Sequence, residues 1–340
     1  MDRIYGYLLK NFFKNLLTYF GIFFLLLSII NFVRIAGYTT EISMSFADIF
    51  RLYFYVIPQL VIYVLPLTYF IAMVLTFNNF SKDGEMLVLF SLGKSPKSVL
   101  SFFLFVSFVI SLFLVVNSLV FMPRSEQMSD NFLEIKKVES KINIRTSEVG
   151  QKIGKWNIFS KQGKGDVYRD LALFSKDRGK SQIILANEAK LVSGKREMSL
   201  MLDHGTHYRY DSLNDSLIKT KYEKLKFTYN LHKGKLDTKG IVDFWLEAKT
   251  NSNRAKWLLL YLLFSFLPFF GVAYAFSIGI INPRVQKRAV GVWITVVIFI
   301  YYFVAYNISV TTPLVGGIVF AVSFFVLGLI FVKKMILNRY

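Results

Sequence analysis

The sequence predicts an α-helical membrane protein with six transmembrane helices, arranged three plus three around an inserted all-β domain, which is a sandwich or a jelly-roll. Three observations lead to this prediction: long segments without any charge, one polar block between them, and strand-like alternation inside that block. A soluble protein of 340 residues can bury a large core, but it does not contain charge-free runs of this length. The chain is therefore an integral membrane protein.

The uncharged segments set the number and the limits of the spans. They are 15–33, 52–81, 98–123, 257–283 and 289–332. One crossing takes about 20 apolar residues, so the last segment, which is broken near Thr311-Thr312-Pro313, accommodates two. The third span is predicted to end at Met122-Pro123. The expected domains are 1–122 with helices 1–3, 123–254 with the β domain, and 255–340 with helices 4–6.

Charge in the short loops predicts the orientation. The formal net charge is +19, and block 124–254 holds 26 Lys and Arg against 17 Asp and Glu. A domain of that length is exported whatever its charge, whereas the short basic loops stay inside. Both termini and segment 81–97 are therefore expected in the cytoplasm and the β domain outside. Attraction to anionic lipids explains the basic ends, so no nucleic-acid partner is expected. Without cysteine, disulfide and thiol chemistry are excluded.

Block 124–254 alternates as β-strands do. The clearest stretches are Lys224–Tyr229, Met198–Leu202 and His207–Tyr210, with turn residues at 163–165, 177–179, 193–194 and 213–215 between strands. Strands at this spacing predict a sandwich or jelly-roll. A helix over about 240–249 is expected to lead into the fourth span at Trp257.

Segment 81–97 is a short charged interruption between the second and third spans. It is predicted to form one compact helix: Ser81 caps it, Glu85 lies in its first turn, and Gly93 followed by Pro96 ends it. Its interior, which begins at Met86, is too apolar for a solvated loop and too short to cross a bilayer. We interpret it as a coupling helix to which another protein binds.

Residue chemistry outside that helix is sparse, and no catalytic set emerges. Gly93-Lys94-Ser95 resembles the end of a phosphate loop, but Val88 stands where that motif needs a glycine. His204 and His207 are three residues apart, which on a strand places them on opposite faces and favours a surface turn over a metal site. Arg34, at the outer end of span 1, either anchors the helix at the lipid headgroups or meets an anionic substrate.

The chain resembles the LptF/LptG permeases of lipopolysaccharide export. The resemblance rests on Tyr55-Val56-Ile57-Pro58, Leu65-Pro66, Asn78, Ser81–Met86, Leu92-Gly93-Lys94-Ser95, Ile184–Ala189, Leu202–Tyr208 and Asn282-Pro283-Arg284 with Arg288. It covers essentially the whole chain in order. Leu92 departs from the pattern, since many members have alanine there, and loop 282–288 is short. Asn282-Pro283-Arg284 favours the LptF-like member.

The resemblance implies a non-catalytic subunit of an ABC-type exporter in the bacterial inner membrane, with a periplasmic β domain. Its implied partners are a cytoplasmic LptB-like ATPase dimer, a sister permease, an LptC-like periplasmic bridge and lipopolysaccharide. This chain would need no cofactor, since the ATPase binds the ATP. Glu85, Met86, Leu89 and Gly93 would contact that ATPase, and Arg34 would contact the substrate. The alternative for Glu85 is an acid that only satisfies the helix dipole.

Three other function classes compete with export. A membrane adaptor or sensor would have the same exported domain and effector-binding helix, but it needs no lipid groove through the β domain. A lipid-modifying membrane enzyme needs acids or histidines clustered at a membrane boundary, and here they are scattered. A mechanotransducing permease of the MacB kind normally has four spans and places its outside domain differently.

Overall fold

The computed structural model describes residues 3–40, 42, 44–142, 151–153, 156–164, 167–177, 180–193, 197–211, 216–230, 239–281, 289–311 and 315–337. Its helices are α1 (Arg3–Tyr38), α2 (Phe46–Lys82), α3 (Glu85–Ser91), α4 (Pro96–Val116), α5 (Met122–Ile142), α6 (Ile241–Leu246), α7 (Ser252–Gly279), α8 (Val290–Thr311) and α9 (Val315–Val332). Two π-turns, Asn117–Phe121 and Lys333–Leu337, and a 3₁₀ turn, Glu247–Lys249, extend them. The strands are β1 (Gln151–Ile153), β2 (Trp156–Lys164), β3 (Val167–Asp177), β4 (Lys180–Ser193), β5 (Glu197–Asp211) and β6 (Ser216–Asn230).

Six helical segments among these residues are long and apolar enough to cross a membrane, which confirms the predicted number of spans. The helix that was predicted over about 240–249, before the fourth span, is also confirmed: α6 and the 3₁₀ turn together cover 241–249. The third span is longer than predicted. Its helix does not end at Met122-Pro123 but continues through a π-turn into α5, as far as Ile142.

The chain divides into two compact units. One comprises Met1–Gly37, Ile49–Ser129 and Lys239–Tyr340 and contains the spans; the other comprises Tyr38–Asp48 and Asp130–Thr238 and contains the sheet. In the membrane unit, α2 and α7 are the inner helices, because most of their apolar windows are buried.

Aromatic side chains fill the centre of the membrane unit. The ring of Phe77 lies 4.9 Å from Phe103 and 5.1 Å from Phe276, between centroids, and Phe12 lies 5.0 Å from Tyr69. All five side chains are almost completely buried. Edge-to-face ring pairs of this kind add stability beyond the area that they bury. The inner helices α2 and α7 are thereby packed against α1 and α4.

Two glycines allow α7 to approach its neighbours closely. A Cβ on Gly279 would lie 2.6 Å from Cβ of Phe77 and 2.7 Å from the carbonyl oxygen of Val74, both on α2. A Cβ on Gly317 of α9 would overlap the side chain of Leu259 on α7. Small residues are typical of such close helix contacts in membranes.

The second unit contains one antiparallel sheet whose six described strands lie in sequence order, β1 to β6. It confirms the inserted β domain and the predicted strands at 198–202, 207–210 and 224–229. The described pairings form a meander, so the jelly-roll topology stays a prediction. The predicted turns fall largely outside the described residues, as do His232 and loop 282–288 with Asn282-Pro283-Arg284.

An interruption crosses the sheet at matching positions of adjacent strands. The cross-strand pairing skips one residue on each of strands β2 to β6, and all five are exposed: Lys161, Asp170, Asn187, His204 and Glu223. Asp170 and His204 have positive φ angles of 54° and 48°, as bulged residues can. At this line the inside–outside alternation of each strand shifts by one residue. Apolar side chains from both sides of it form one buried cluster, which includes Leu173 and Leu202.

Candidate coupling site

The connection between the second and third spans is two tight turns flanking α3. Gly84 precedes α3 with φ 78°, and Gly93 follows it with φ 87°, a left-handed conformation that glycine adopts without steric cost. After α3 the amide of Gly93 donates to the carbonyl of Phe90 (3.1 Å) and the amide of Lys94 donates to that of Leu89 (3.3 Å). This is a Schellman motif, and it confirms that Gly93 ends the helix.

Two details of the predicted coupling helix are wrong. Ser81 does not cap it: this residue lies inside α2, 3% exposed, because α2 continues to Lys82 before the chain turns at Gly84. Pro96 does not end it but occupies the first turn of α4, where its missing N–H costs nothing. Ser95 caps α4, accepting a hydrogen bond from the amide of Ser98 at 3.3 Å. Residues 93–95, which resemble the end of a phosphate loop in sequence, therefore form the end of α3 followed by the N-cap of α4.

The first turns of α1 hold this connection from one side. The hydroxyl of Tyr7 donates to Oε1 of Glu85 across 3.2 Å. The hydroxyl of Tyr5 lies 2.6 Å from Oγ of Ser98, and its ring stacks on Phe102 with 4.5 Å between centroids. Two tyrosines therefore join the start of α1 to α3 and to the beginning of α4.

A groove of about 450 Å³ lies between α1 and α3. It is lined by Arg3, Ile4, Tyr7, Asp83, Glu85, Val88, Leu89 and Leu92. Its walls are mainly apolar, and its charges are two carboxylates and one guanidinium. The groove therefore suits a partner that brings an apolar side chain together with a positive charge.

The predicted contact residues are not equally accessible. Leu89 lines the groove, but Met86 is only 2% exposed and packs in the core of the membrane unit. In its place, Val88 and Leu92 present exposed apolar surface, at 56% and 74%. Contiguous exposed apolar side chains on a short helix are typical of a surface that a partner covers.

Sequence reasoning missed the contribution of α1. The groove residues Arg3 and Tyr7 precede the first charge-free segment, which starts only at residue 15, whereas α1 already begins at Arg3. Residues 3–14 contain no proline, so the helix of the first span can begin well before the charge-free segment, and this was the signal that was available. Its partner, α3, is distant in sequence.

Arg34 is not part of this site. It lies on α1 31 residues after Arg3, which at about 1.5 Å per residue is a separation of roughly 45 Å along the helix. Its side chain is exposed and has no hydrogen bond or ion pair with any described residue. The guanidinium lies at the end of α1 opposite to the groove.

The two described histidines do not form a metal centre. His204 is exposed, whereas Nε2 of His207 is buried without a hydrogen-bond partner. Burial, together with the nearby positive charge of Arg209, lowers the pKa of His207. Among the described residues no group of three or more potential ligands comes together.

The family model for the lipopolysaccharide export system permease LptF/LptG matches residues 6–338 of the chain. The chain belongs to the LptF/LptG family. A comparison with curated proteins found no match. This family is the permease component of the lipopolysaccharide export system, so α3 and its groove are part of a transport subunit. With its six apolar helices, this LptF/LptG permease is a multi-pass protein of the inner membrane. The family model covers both members, and the LptF-like assignment stays a prediction.

Proposed function

We propose that this permease is the transmembrane subunit of an ABC-type exporter. It extracts lipopolysaccharide from the inner membrane and passes it to an LptC-like periplasmic bridge. A separate LptB-like ATPase dimer drives it, and a sister permease completes the transport path. This chain itself needs no cofactor, and the ATP is bound by the ATPase. Both termini and α3 are cytoplasmic, and the β unit is periplasmic, as the positive charge of the short loops predicts.

The observation that carries the proposal is the α1–α3 groove. A helix of seven residues, fixed by a glycine at each end, connects two long spans and exposes apolar side chains beside two acids. Such a helix transmits a push from a bound protein to α2 and α4, because its turns are tight. Closure of the ATPase dimer would tilt these spans and collapse a cavity shared with the sister permease.

The β unit supports the second half of the proposal. Its sheet gathers one cluster of buried apolar side chains, among them Leu171, Leu173, Ile184 and Leu202. Acyl chains that enter between these apolar side chains would be shielded from water while they leave the membrane. Arg34, exposed at the end of α1 away from α3, would meet the phosphates of the same lipid.

A pull-down from detergent extract tests the ATPase assignment. Tagged wild type is compared with Glu85→Arg, which reverses the charge in the groove. Glu223→Arg is the matched control, since Glu223 is an exposed acid on β6. We expect wild type and control to recover an ATPase and a second six-span chain, and Glu85→Arg to recover only the second chain.

The other outcomes are equally informative. Recovery of the ATPase with Glu85→Arg would leave the complex in place and remove Glu85 from the interface. Absence of any ATPase with wild type would remove the motor and favour the adaptor hypothesis. A photo-crosslinking residue at Leu202, inside the β cluster, separates the same two functions, because only an exporter would label lipopolysaccharide there.

A further inference from the structure

The regular backbone hydrogen bonding of the third span is interrupted just before a proline. Pro123 has no N–H to donate to the carbonyl of Leu119, four residues earlier, and its ring crowds that carbonyl. The helix widens at this place into the π-turn Asn117–Phe121, where the amide of Met122 reaches back five residues to the carbonyl of Asn117. π-turns of this kind are rare and are frequent at functional sites.

The donor that Pro123 lacks comes from another part of the chain. Nε1 of Trp245, on α6, donates to the carbonyl of Leu119 at 2.9 Å. Trp245 follows Leu119 by 126 residues, because the whole β domain is inserted between them. The short helix on which the chain returns from that domain is therefore bound to the carbonyl that the proline leaves open.

The π-turn is tied to two further helices. Nδ2 of Asn117 donates to the carbonyl of Pro58 on α2 at 2.9 Å, and Oγ of Ser265 on α7 donates to Oγ of Ser118 at 3.2 Å. Asn117 and Ser118 are 5% and 0% exposed, so these bonds lie in an apolar environment. Breaking these bonds would leave polar groups unpaired in that environment, which costs free energy. The π-turn is therefore held in one register relative to α2 and α7.

A second set of contacts lies where the chain leaves the membrane unit and returns to it. The amide of Lys239 donates to Oε1 of Gln127 at 2.7 Å. Arg254 pairs with Glu126 at 3.6 Å and with Glu247 at 3.8 Å. These contacts keep α6 beside the continuation of the third span, so Trp245 stays aligned with Leu119.

We propose that Trp245 is a positioning residue for export: it transmits movement of the third span to the chain that returns from the β domain. This inference rests on the proposed function, in which the ATPase tilts that span from α3. The indole N–H acts through the Leu119 carbonyl. It makes α6 a second coupling helix, at the end of the span opposite to α3.

The test measures lipopolysaccharide released per ATP hydrolysed, in proteoliposomes that contain the assembled complex and lipopolysaccharide. Trp245→Phe keeps an aromatic ring and removes the donor. We expect assembly and ATP hydrolysis to persist and release per ATP to fall about fivefold, the factor that one ordinary hydrogen bond provides. Trp257→Phe is the control, because the Trp257 ring stacks on Tyr261 and its indole makes no hydrogen bond with the described residues.

Pro123→Ala supplies the second arm of a double-mutant cycle. The alanine N–H competes with Trp245 for the Leu119 carbonyl, so this variant should also uncouple release from hydrolysis. Adding Trp245→Phe to it should then lower release no further. Additive losses, or an unchanged release per ATP in Trp245→Phe, would overturn the proposal.

Two remaining outcomes are also decisive. If Trp245→Phe does not accumulate in the membrane, the proposal requires that Pro123→Ala restores its accumulation, since the alanine N–H then satisfies the Leu119 carbonyl; no restoration refutes it. If the wild-type complex hydrolyses ATP but releases no lipopolysaccharide, the proposed function itself fails. That result differs from equal release by wild type and Trp245→Phe, which removes only the role of Trp245.

Discussion

The hydroxyl of Tyr7 donates a hydrogen bond of 3.2 Å to Oε1 of Glu85, although 78 residues separate the two in sequence. The bond joins the first turns of α1 to α3 inside the groove. The carboxylate at the centre of the proposed ATPase contact is therefore already engaged within the chain. A partner cation that pairs with Glu85 has to share this oxygen or displace the tyrosine.

Replacing Tyr7 with phenylalanine tests that competition. Tyr7→Phe keeps the ring beside Phe80 and removes the competing donor, so we expect the ATPase to bind more tightly, by roughly two- to tenfold. The measurement is the dissociation constant of the ATPase from the solubilised permease. The same substitution in a Glu85→Ala background should have no effect, because alanine offers an acceptor oxygen to neither the tyrosine nor the partner cation. Weaker binding by Tyr7→Phe alone would show that the tyrosine instead holds α3 in its binding position.

The same substitution should have different effects at two apolar residues of α3, one buried and one exposed. Met86→Ser empties a buried position, and we expect the free energy of unfolding to fall by about 2–5 kcal/mol. Val88→Ser changes an exposed side chain and should alter stability by less than about 0.5 kcal/mol. It should nevertheless reduce the amount of ATPase that co-purifies. Thermal denaturation in detergent and a pull-down separate the two effects, and loss of ATPase binding without loss of stability in Met86→Ser would contradict the assignment.

The close contact between α2 and α7 predicts a difference between two glycines. Gly279→Ala places a Cβ against Phe77 and the backbone of Val74, which should cost about 1–3 kcal/mol through overpacking. Gly291→Ala adds a Cβ to α8 with nothing within 4 Å, so helix propensity alone should stabilise it by up to about 1 kcal/mol. Denaturant titrations of both purified variants provide the comparison. Equal stability would mean that α7 can shift away from α2 without loss.

Glu247 predicts how stability depends on pH. Its hydrogen bond to Lys239, supported by the charge of Arg254, lowers the pKa of this carboxyl. A carboxyl whose pKa is lower in the folded than in the unfolded protein stabilises the fold at pH values above its ordinary pKa of 4.5. This stabilisation is lost as the pH falls through the lower pKa of the folded state. We expect the melting temperature of the wild type to fall more than that of Glu247→Gln when pH is lowered below 4.5. Glu223→Gln, without an ion pair among the described residues, should follow the wild type; parallel curves for all three proteins would refute the role of Glu247.

Much of the membrane unit was predictable because its signals are local. A charge-free run identifies a span by itself, and Gly93 ends α3 because the left-handed conformation favours glycine. The end of α2 was missed because Ser81 is as plausible a cap as a buried helical residue. Only tertiary packing distinguishes these two environments. The same reason explains Met86, whose apolar side chain fits either a partner surface or the core.

The contacts that define the two coupling elements were beyond sequence reasoning. Pro123 does predict an open carbonyl at Leu119, but nothing local identifies Trp245 as the donor. Tyr7 and Glu85 likewise meet only because α1 packs beside α3. A single sequence shows which polar groups need hydrogen-bond partners, but only the fold shows which residues supply them.

The interruption that crosses the β-sheet has a consequence for mutational tolerance. On β3 the buried positions Tyr168 and Leu171 are three residues apart, and on β4 so are Ala186 and Ala189. A saturation scan of either strand should therefore show polar substitutions rejected at every second position, with one phase slip at the bulge. Deleting Asp170 alone would move half of β3 out of phase with both β2 and β4, and deleting Asn187 as well would restore only the match between β3 and β4. Natural insertions and deletions at this line are then expected to affect all the strands that it crosses.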